Sequence, residues 1–142
     1  MKTLLIIFTV TTVLASAACT KKASTETLND PLDTTAVLLY EGDFSKGPYA
    51  AAISGKAAIY KVNNAWQLRL ENFSVSNGPD LKVYLSKEQQ PVNFIKIGDL
   101  KSVSGNQIYP VSGMPDIMEY KYALIHCEQY NHLFGYTILV MQ

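Results

Sequence analysis

Apolar and polar residues alternate along most of the chain from residue 36 onwards. The clearest run is AWQLRLENF, residues 65–73, in which Trp66, Leu68 and Leu70 alternate with Gln, Arg and Glu. Residues 81–86, LKVYLS, repeat the alternation. A period of two is typical of a β-strand with one buried face and one solvated face. The pattern therefore predicts strands, and no run has a convincing helical period.

Turn signals separate these apolar runs at short intervals. Asn63-Asn64, Asn77-Gly78-Pro79 and Gly105-Asn106 are the clearest of them, since Gly and Asn tolerate positive φ and Pro interrupts a strand. Together the runs and turns predict about eight strands, at residues 36–44, 55–62, 65–73, 81–86, 94–100, 107–111, 120–127 and 134–141. The fold class predicted is all-β, an antiparallel β-sandwich or a barrel-like relative of it.

The first 19 residues have a different pattern, that of an export signal. Lys2 is followed by an apolar run over residues 4–14 and by small residues up to Cys19, as in a signal peptide. A cysteine placed there indicates a lipoprotein, in which Cys19 carries the lipid and becomes the mature N-terminus. The alternative is ordinary cleavage after Ala17. We expect an exported chain held by this lipid on the periplasmic or surface face of a cell-envelope membrane.

The remainder divides into a linker and one domain. Residues 20–35, TKKASTETLNDPLDTT, are polar and predict a flexible tether. Residues 36–142 form the predicted sandwich domain. The 142-residue chain has twelve basic and twelve acidic residues, so no net field attracts a phosphate backbone and nucleic-acid binding is not expected.

The candidate chemistry lies in residues 122–139, which contain Cys127 and both histidines of the chain, His126 and His132. If Cys19 carries lipid, Cys127 has no intrachain partner and no disulfide stabilises the domain. A lone cysteine is either a small buried hydrophobe or a reactive group, here a redox thiol or a thiolate ligand of haem.

Cys127 has two further candidate chemistries, copper binding and nucleophilic catalysis. With His132 and Met141 it resembles part of a blue-copper site, but adjacent strand residues face opposite ways, so His126 does not supply the second histidine. Copper is therefore not expected. A cysteine nucleophile activated by His132 lacks a recognisable oxyanion arrangement, and no enzymatic turnover is expected.

Several spaced motifs follow one another in order along the domain: Asn72-Phe73, Gly78-Pro79-Asp80-Leu81, Gly98-x-Leu100, Gly105-Asn106-Gln107-x-Tyr109, and Cys127 followed by Phe134-Gly135. Over residues 38–140 the chain thereby resembles one known family, the DM-thirteen electron-transfer domains. The resemblance implies a β-sandwich of exported or membrane-attached proteins. It also implies that the cysteine at position 127 is redox-active or ligates haem. His126 departs from the aromatic residue expected before that cysteine.

These observations lead to two hypotheses of different classes. In the first, the chain is an electron-transfer or redox module that works with a redox protein partner through Cys127, with His126, His132, Asp80 and Tyr109 as site-lining candidates. This hypothesis requires the sulfur to lie within reach of a cofactor or solvent, at the rim of the sandwich. In the second, the chain is a tethered interaction module that binds a protein or glycan, and Cys127 is buried and structural.

Overall fold

The computed structural model describes residues 21–142. The predicted signal and Cys19 lie outside the described residues. Within the described range the only regular elements are β-strands, eleven in number. That range holds no helix with the length and apolar character needed to cross a membrane.

Eight of the strands have six or more residues, and they correspond to the eight runs that the sequence predicted. The other three have two residues each. In chain order the strands are β1 (Leu28–Asn29), β2 (Val37–Asp43), β3 (Ser45–Lys46), β4 (Ile53–Val62), β5 (Ala65–Val75), β6 (Leu81–Ser86), β7 (Phe94–Asp99), β8 (Ser104–Val111), β9 (Tyr122–Cys127), β10 (His132–Ile138) and β11 (Val140–Met141).

The strands form two open sheets. One has the order β1-β8-β5-β4-β2-β11 and the other β3-β10-β9-β6-β7. Every pairing is antiparallel except that between β1 and β8. The all-β prediction is confirmed, and because each sheet has two distinct edges, the fold is a sandwich and not a closed barrel. The three two-residue strands all lie at sheet edges, where short strands limit pairing with other chains.

The core fills the space between the two sheets. Each central strand supplies every second side chain to it, as the alternation predicted. The largest fully buried core side chains include Ile59, Leu68 and Leu70 of the six-stranded sheet and Val83, Leu85 and Ile125 of the five-stranded sheet.

Part of the predicted tether is packed against the domain. Ala23 belongs to the core, Ser24 forms a bridge with Ser102, and β1 pairs with β8. The carboxylate of Asp30 accepts a hydrogen bond from the backbone of Ile108. A flexible tether over residues 20–35 therefore does not describe residues 23–30. Their polar composition concealed the packing because they add backbone hydrogen bonds to an edge strand and bury few apolar side chains.

Three loops meet at one end of the sandwich, which we call the Cys127 end and define by residues 47–52, 76–80 and 128–131. The Ser76 N–H donates to the carbonyl of Ala52, and the Glu128 N–H donates to the carbonyl of Asp80. These hydrogen bonds join the first loop to the second and the second to the third.

Candidate functional site

Cys127 is the last residue of β9 and lies inside the sandwich. Its cross-strand neighbours are Leu81 on β6 and His132 on β10. The residue is 0% exposed and belongs to the apolar core. The accessible rim position that the redox hypothesis required is therefore not observed, and the burial that the second hypothesis predicted is. Cys127 is buried because β9 is the central strand of its sheet and because the side chain of residue 127 points to the core side of that strand.

A haem ligated by Cys127 does not fit this arrangement. A thiolate ligand needs an apolar slot beside the sulfur that is wide enough for the macrocycle. Cys127 is 0% exposed within the apolar cluster that includes Leu81, Ile125 and Phe134, so the sulfur has no open side for the macrocycle. Three surface pockets in the described part of the chain are lined by other residues. We therefore derive no chemistry through haem.

His132 lies beside Cys127 on the neighbouring strand. Directly paired residues of an antiparallel ladder point to the same face, so the two side chains share a face of the sheet. The His132 ring is stacked on Tyr49, with centroids 3.6 Å apart and planes 5° apart, and the Tyr130 ring lies at 5.8 Å. Among the described residues no hydrogen bond joins His132 to the sulfur. The structure thus brings the two residues together but does not form a nucleophile–base pair.

His126 points to the opposite face of β9 and is 4% exposed. It was a candidate to line a site around Cys127, but it packs beside Tyr84, with ring centroids 5.5 Å apart. Burial lowers the pKa of His126, although the Asn131 side chain and the charge of Glu128 oppose that shift. Its Nδ1 has no hydrogen-bond partner within the described residues. Burial therefore favours the neutral form of the His126 ring.

The outer face of the five-stranded sheet carries a polar and aromatic cluster that the sequence reasoning missed. The buried Tyr84 stacks on Phe94 at 4.3 Å, and its hydroxyl donates to Glu128 Oε2 at 3.1 Å. Lys96 Nζ lies 2.9 Å from the same carboxylate oxygen. Burial and the adjoining carboxylate raise the pKa of Tyr84. The sequence did contain a signal for this cluster. Tyr84 and Lys82 alternate with the core residues along β6, so their side chains point to the outer face of the sheet.

Asp80, a predicted site-lining residue, belongs to a buried ionic group. Lys82 is 6% exposed and contacts Asp80 at 2.7 Å and Asp99 at 2.6 Å. Burial disfavours the charged form of Lys82, but its hydrogen bonds to the two carboxylates outweigh burial and raise its pKa. The same lysine lowers the pKa of Asp99. Asp80 therefore fixes Lys82 on the outer face of the sheet, away from the Cys127 side chain.

Tyr109 lies on β8, in the other sheet. Its hydroxyl donates to Gln107 Oε1 at 2.8 Å and accepts a hydrogen bond from the Lys101 N–H at 2.9 Å. Burial raises the pKa of Tyr109. Gln107 in turn donates to the carbonyl of Ser102. These bonds hold the β7–β8 connection in place, which is a structural role.

The copper hypothesis finds no ligand set in the structure. Met141 lies on β11 of the six-stranded sheet and is 63% exposed, whereas Cys127 and His132 belong to the five-stranded sheet. In the part of the chain that the structure describes, no group of three or more His, Cys, Asp or Glu side chains is arranged to hold a metal ion.

Fold and site together define a small antiparallel sandwich with a single thiol enclosed between its described sheets. Residues 43–139 match the family model described as Electron transfer DM13, and the chain belongs to this family. The resemblance seen in the sequence is thereby confirmed. No curated protein and no solved structure matches the chain.

Several positions that carry the family pattern have structural roles. Asn72 has a φ of 45° and its N–H donates to Asn106 Oδ1, while Gly105 has a φ of 104°. A β-carbon at Gly98 would lie 3.5 Å from the Tyr109 ring, so the two pack closely. Most of the pattern therefore preserves turns and packing, and Cys127 is the member of the pattern that carries a thiol.

Proposed function

We propose that this protein is an exported electron-transfer module, held at a cell-envelope membrane by lipid on Cys19. The family match over residues 43–139 supports the electron-transfer role. The sequence Ser16-Ala17-Ala18-Cys19 after an apolar run supports export and lipidation. The module passes electrons to a redox protein partner and turns over no substrate by itself.

Within this proposal Cys127 is the redox group. When the Cys127 end opens, the thiol loses its proton to solvent and its sulfur attacks a disulfide of the redox partner, which forms a mixed disulfide and releases the partner's other sulfur as a thiolate. Cys127 is the one cysteine among the described residues, and it immediately precedes the turn at residues 128–131. Strand ends next to turns open locally with less free energy than global unfolding requires. The closed state then protects the thiol, and the open state presents it to a partner.

The test compares thiol reactivity with global unfolding. Lipidated full-length protein is reacted with a polar alkylating reagent over a denaturant series, and its unfolding rate is measured in parallel. We expect modification in the absence of denaturant at a rate well above that of global unfolding, and a redox titration that responds in the wild type but not in Cys127→Ala. Cys127→Ala is preferred to Cys127→Ser because a buried hydroxyl without a partner costs about 1–3 kcal/mol.

A second candidate function is favoured by the complete burial of Cys127. In it the domain is a tethered interaction module for a protein or glycan, and Cys127 only packs. It predicts that the thiol reacts no faster than the protein unfolds and that Cys127→Ala leaves the redox titration unchanged. Either of those results would contradict the redox role of Cys127.

Lipidation has its own measurement. The N-terminal peptide of protein extracted from membranes should have the mass of an acylated Cys19, and Cys19→Ser should release the chain from the membrane fraction. An unmodified peptide beginning at Ala18 would instead show ordinary cleavage.

A further inference from the structure

The described chain begins at the Cys127 end of the sandwich. Lys22 lines one pocket together with Asn77, Gly78 and Pro79, which belong to the loop at residues 76–80. Ala23 is already part of the core. The point at which the domain meets its N-terminal extension is therefore fixed at this end.

A lipid on Cys19 would be tethered to the same end, because Cys19 is two residues before Lys21 and two residues of any conformation span at most about 7 Å. Since residues 23–30 pack along β8, they provide no slack that would let the domain move away from its anchor. A lipid on Cys19 would enter the bilayer directly beside the Cys127 end.

The surface at this end has the side chains that favour a membrane interface. Tyr49 and Tyr130, on either side of His132, are 54% and 57% exposed. Tyrosine is enriched at the headgroup level of membranes because it has an apolar ring and a polar tip. Lys21 and Lys22 add two positive charges, which anionic headgroups attract.

Lysines offset most of the acidic charge at this end, which reduces its repulsion from anionic lipid. Asp80 and Asp99 share the single Lys82. Glu128 is paired with Lys96. The one negative charge left over from these groups is outweighed by the two positive charges of Lys21 and Lys22.

We infer that the Cys127 end docks on the lipid surface to which the chain is anchored, with Tyr49 and Tyr130 at headgroup level. This inference rests on the proposed lipid at Cys19. The loops at the Cys127 end then face the bilayer, so a redox partner that reaches Cys127 must lie in or on the same membrane, and the opposite end of the sandwich points away from it.

The native Trp66 provides an internal control for this orientation. It lies at the start of β5, whose last residue, Val75, precedes the loop at the Cys127 end. The nine steps from Trp66 to Val75 span about 30 Å of strand. Trp66 is also the single tryptophan of the chain, so its fluorescence reports the far end alone.

The experiment uses lipidated full-length protein in vesicles of neutral and anionic phospholipid with brominated acyl chains, which quench nearby tryptophan. Three proteins are compared: the wild type, Trp66→Phe with Tyr49→Trp, and Trp66→Phe with Tyr130→Trp. The replaced tyrosines are more than half exposed, so tryptophan fits at either position. We expect at least about twofold quenching in the two variants and almost none in the wild type.

Equal quenching in all three proteins, or stronger quenching of Trp66, would overturn the inferred orientation while leaving the anchor in place. Loss of the anchor is a separate result. Protein that lacks an acylated Cys19 by mass and does not co-sediment with vesicles would overturn both the lipid anchor and this inference. Circular dichroism of each variant verifies that the sandwich is retained.

Discussion

At the scale of single residues, the polar groups of the outer sheet face behave least like ordinary surface side chains. Lys82 is enclosed between Asp80 and Asp99, while His126 is buried and its Nδ1 has no partner among residues 21–142. Buried charges and imidazoles affect stability strongly because water no longer solvates them. Two predictions follow from their positions.

Lys82→Met keeps most of the side-chain volume but removes the charge. It leaves Asp80 and Asp99 without their shared cation, and breaking a buried ion pair in this way costs about 3 kcal/mol. We expect the free energy of unfolding, measured by urea denaturation, to fall by about that amount. Lys87→Met is the matched control, because the exposed pair of Lys87 with Glu119 contributes little. Equal stability of the two variants would contradict the role assigned to Lys82.

His126 should make the stability of the domain depend on pH near neutrality. Because burial lowers its folded pKa below the ordinary value, the unfolded chain binds a proton first as the pH falls through about 6.5. The associated stability is present above that pH and is lost as the pH falls towards the folded pKa. The groups that act on its charge are Glu128, which opposes the shift, and His132, which adds to it.

The measurement compares wild type with His126→Leu in urea titrations between pH 7.5 and pH 5.5. We expect the wild type to lose stability over this range and the variant to lose less. The carboxylates with lowered pKa values, such as Asp99, release their contribution at lower pH and do not overlap this window. Identical slopes in the two proteins would contradict the assignment.

At the scale of elements, the short edge strand β1 depends on one glycine. Gly105 has a φ of 104°, and a β-carbon there would clash with the backbone of Leu28 on β1. Gly105→Ala should therefore release β1 from β8, in addition to the cost of the left-handed backbone. Gly113→Ala is the control, since Gly113 has a φ of 75° but nothing within 4 Å.

Hydrogen exchange monitors this release. We expect the Gly105→Ala variant to lose amide protection around Leu28 and to be destabilised by more than Gly113→Ala, which should lose about 1 kcal/mol. Retained protection of β1 in Gly105→Ala would show that the strand tolerates the side chain.

Element length determined what the pattern could predict. The eight longer strands were predictable because six or more residues show alternation, as Trp66, Leu68 and Leu70 do in β5. β1, β3 and β11 have two residues each, which is too short for a period to be visible. They form because an edge strand of a sheet offers unpaired backbone groups, and which segment pairs there depends on the tertiary fold.

At the scale of the whole molecule, the described sandwich is stabilised by its core and contains no disulfide. Cys127 is free and buried. We expect the melting temperature, followed by circular dichroism, to be the same with and without a thiol reductant. A lower melting temperature in the presence of the reductant would indicate a disulfide and would contradict this prediction.

The amino-acid sequence by itself determined the all-β class, the eight principal strands and the family, because alternation and turn residues are local properties that can be read along the chain. The tertiary structure alone decided the surroundings of Cys127. Its burial follows from the central place of β9 in the sheet order, and its pairing with His132 follows from strand register. Likewise, Lys82 meets Asp99 because β6 and β7 are adjacent strands whose register pairs these two residues. Such placements are set by contacts between residues distant in sequence, so no local pattern contains them.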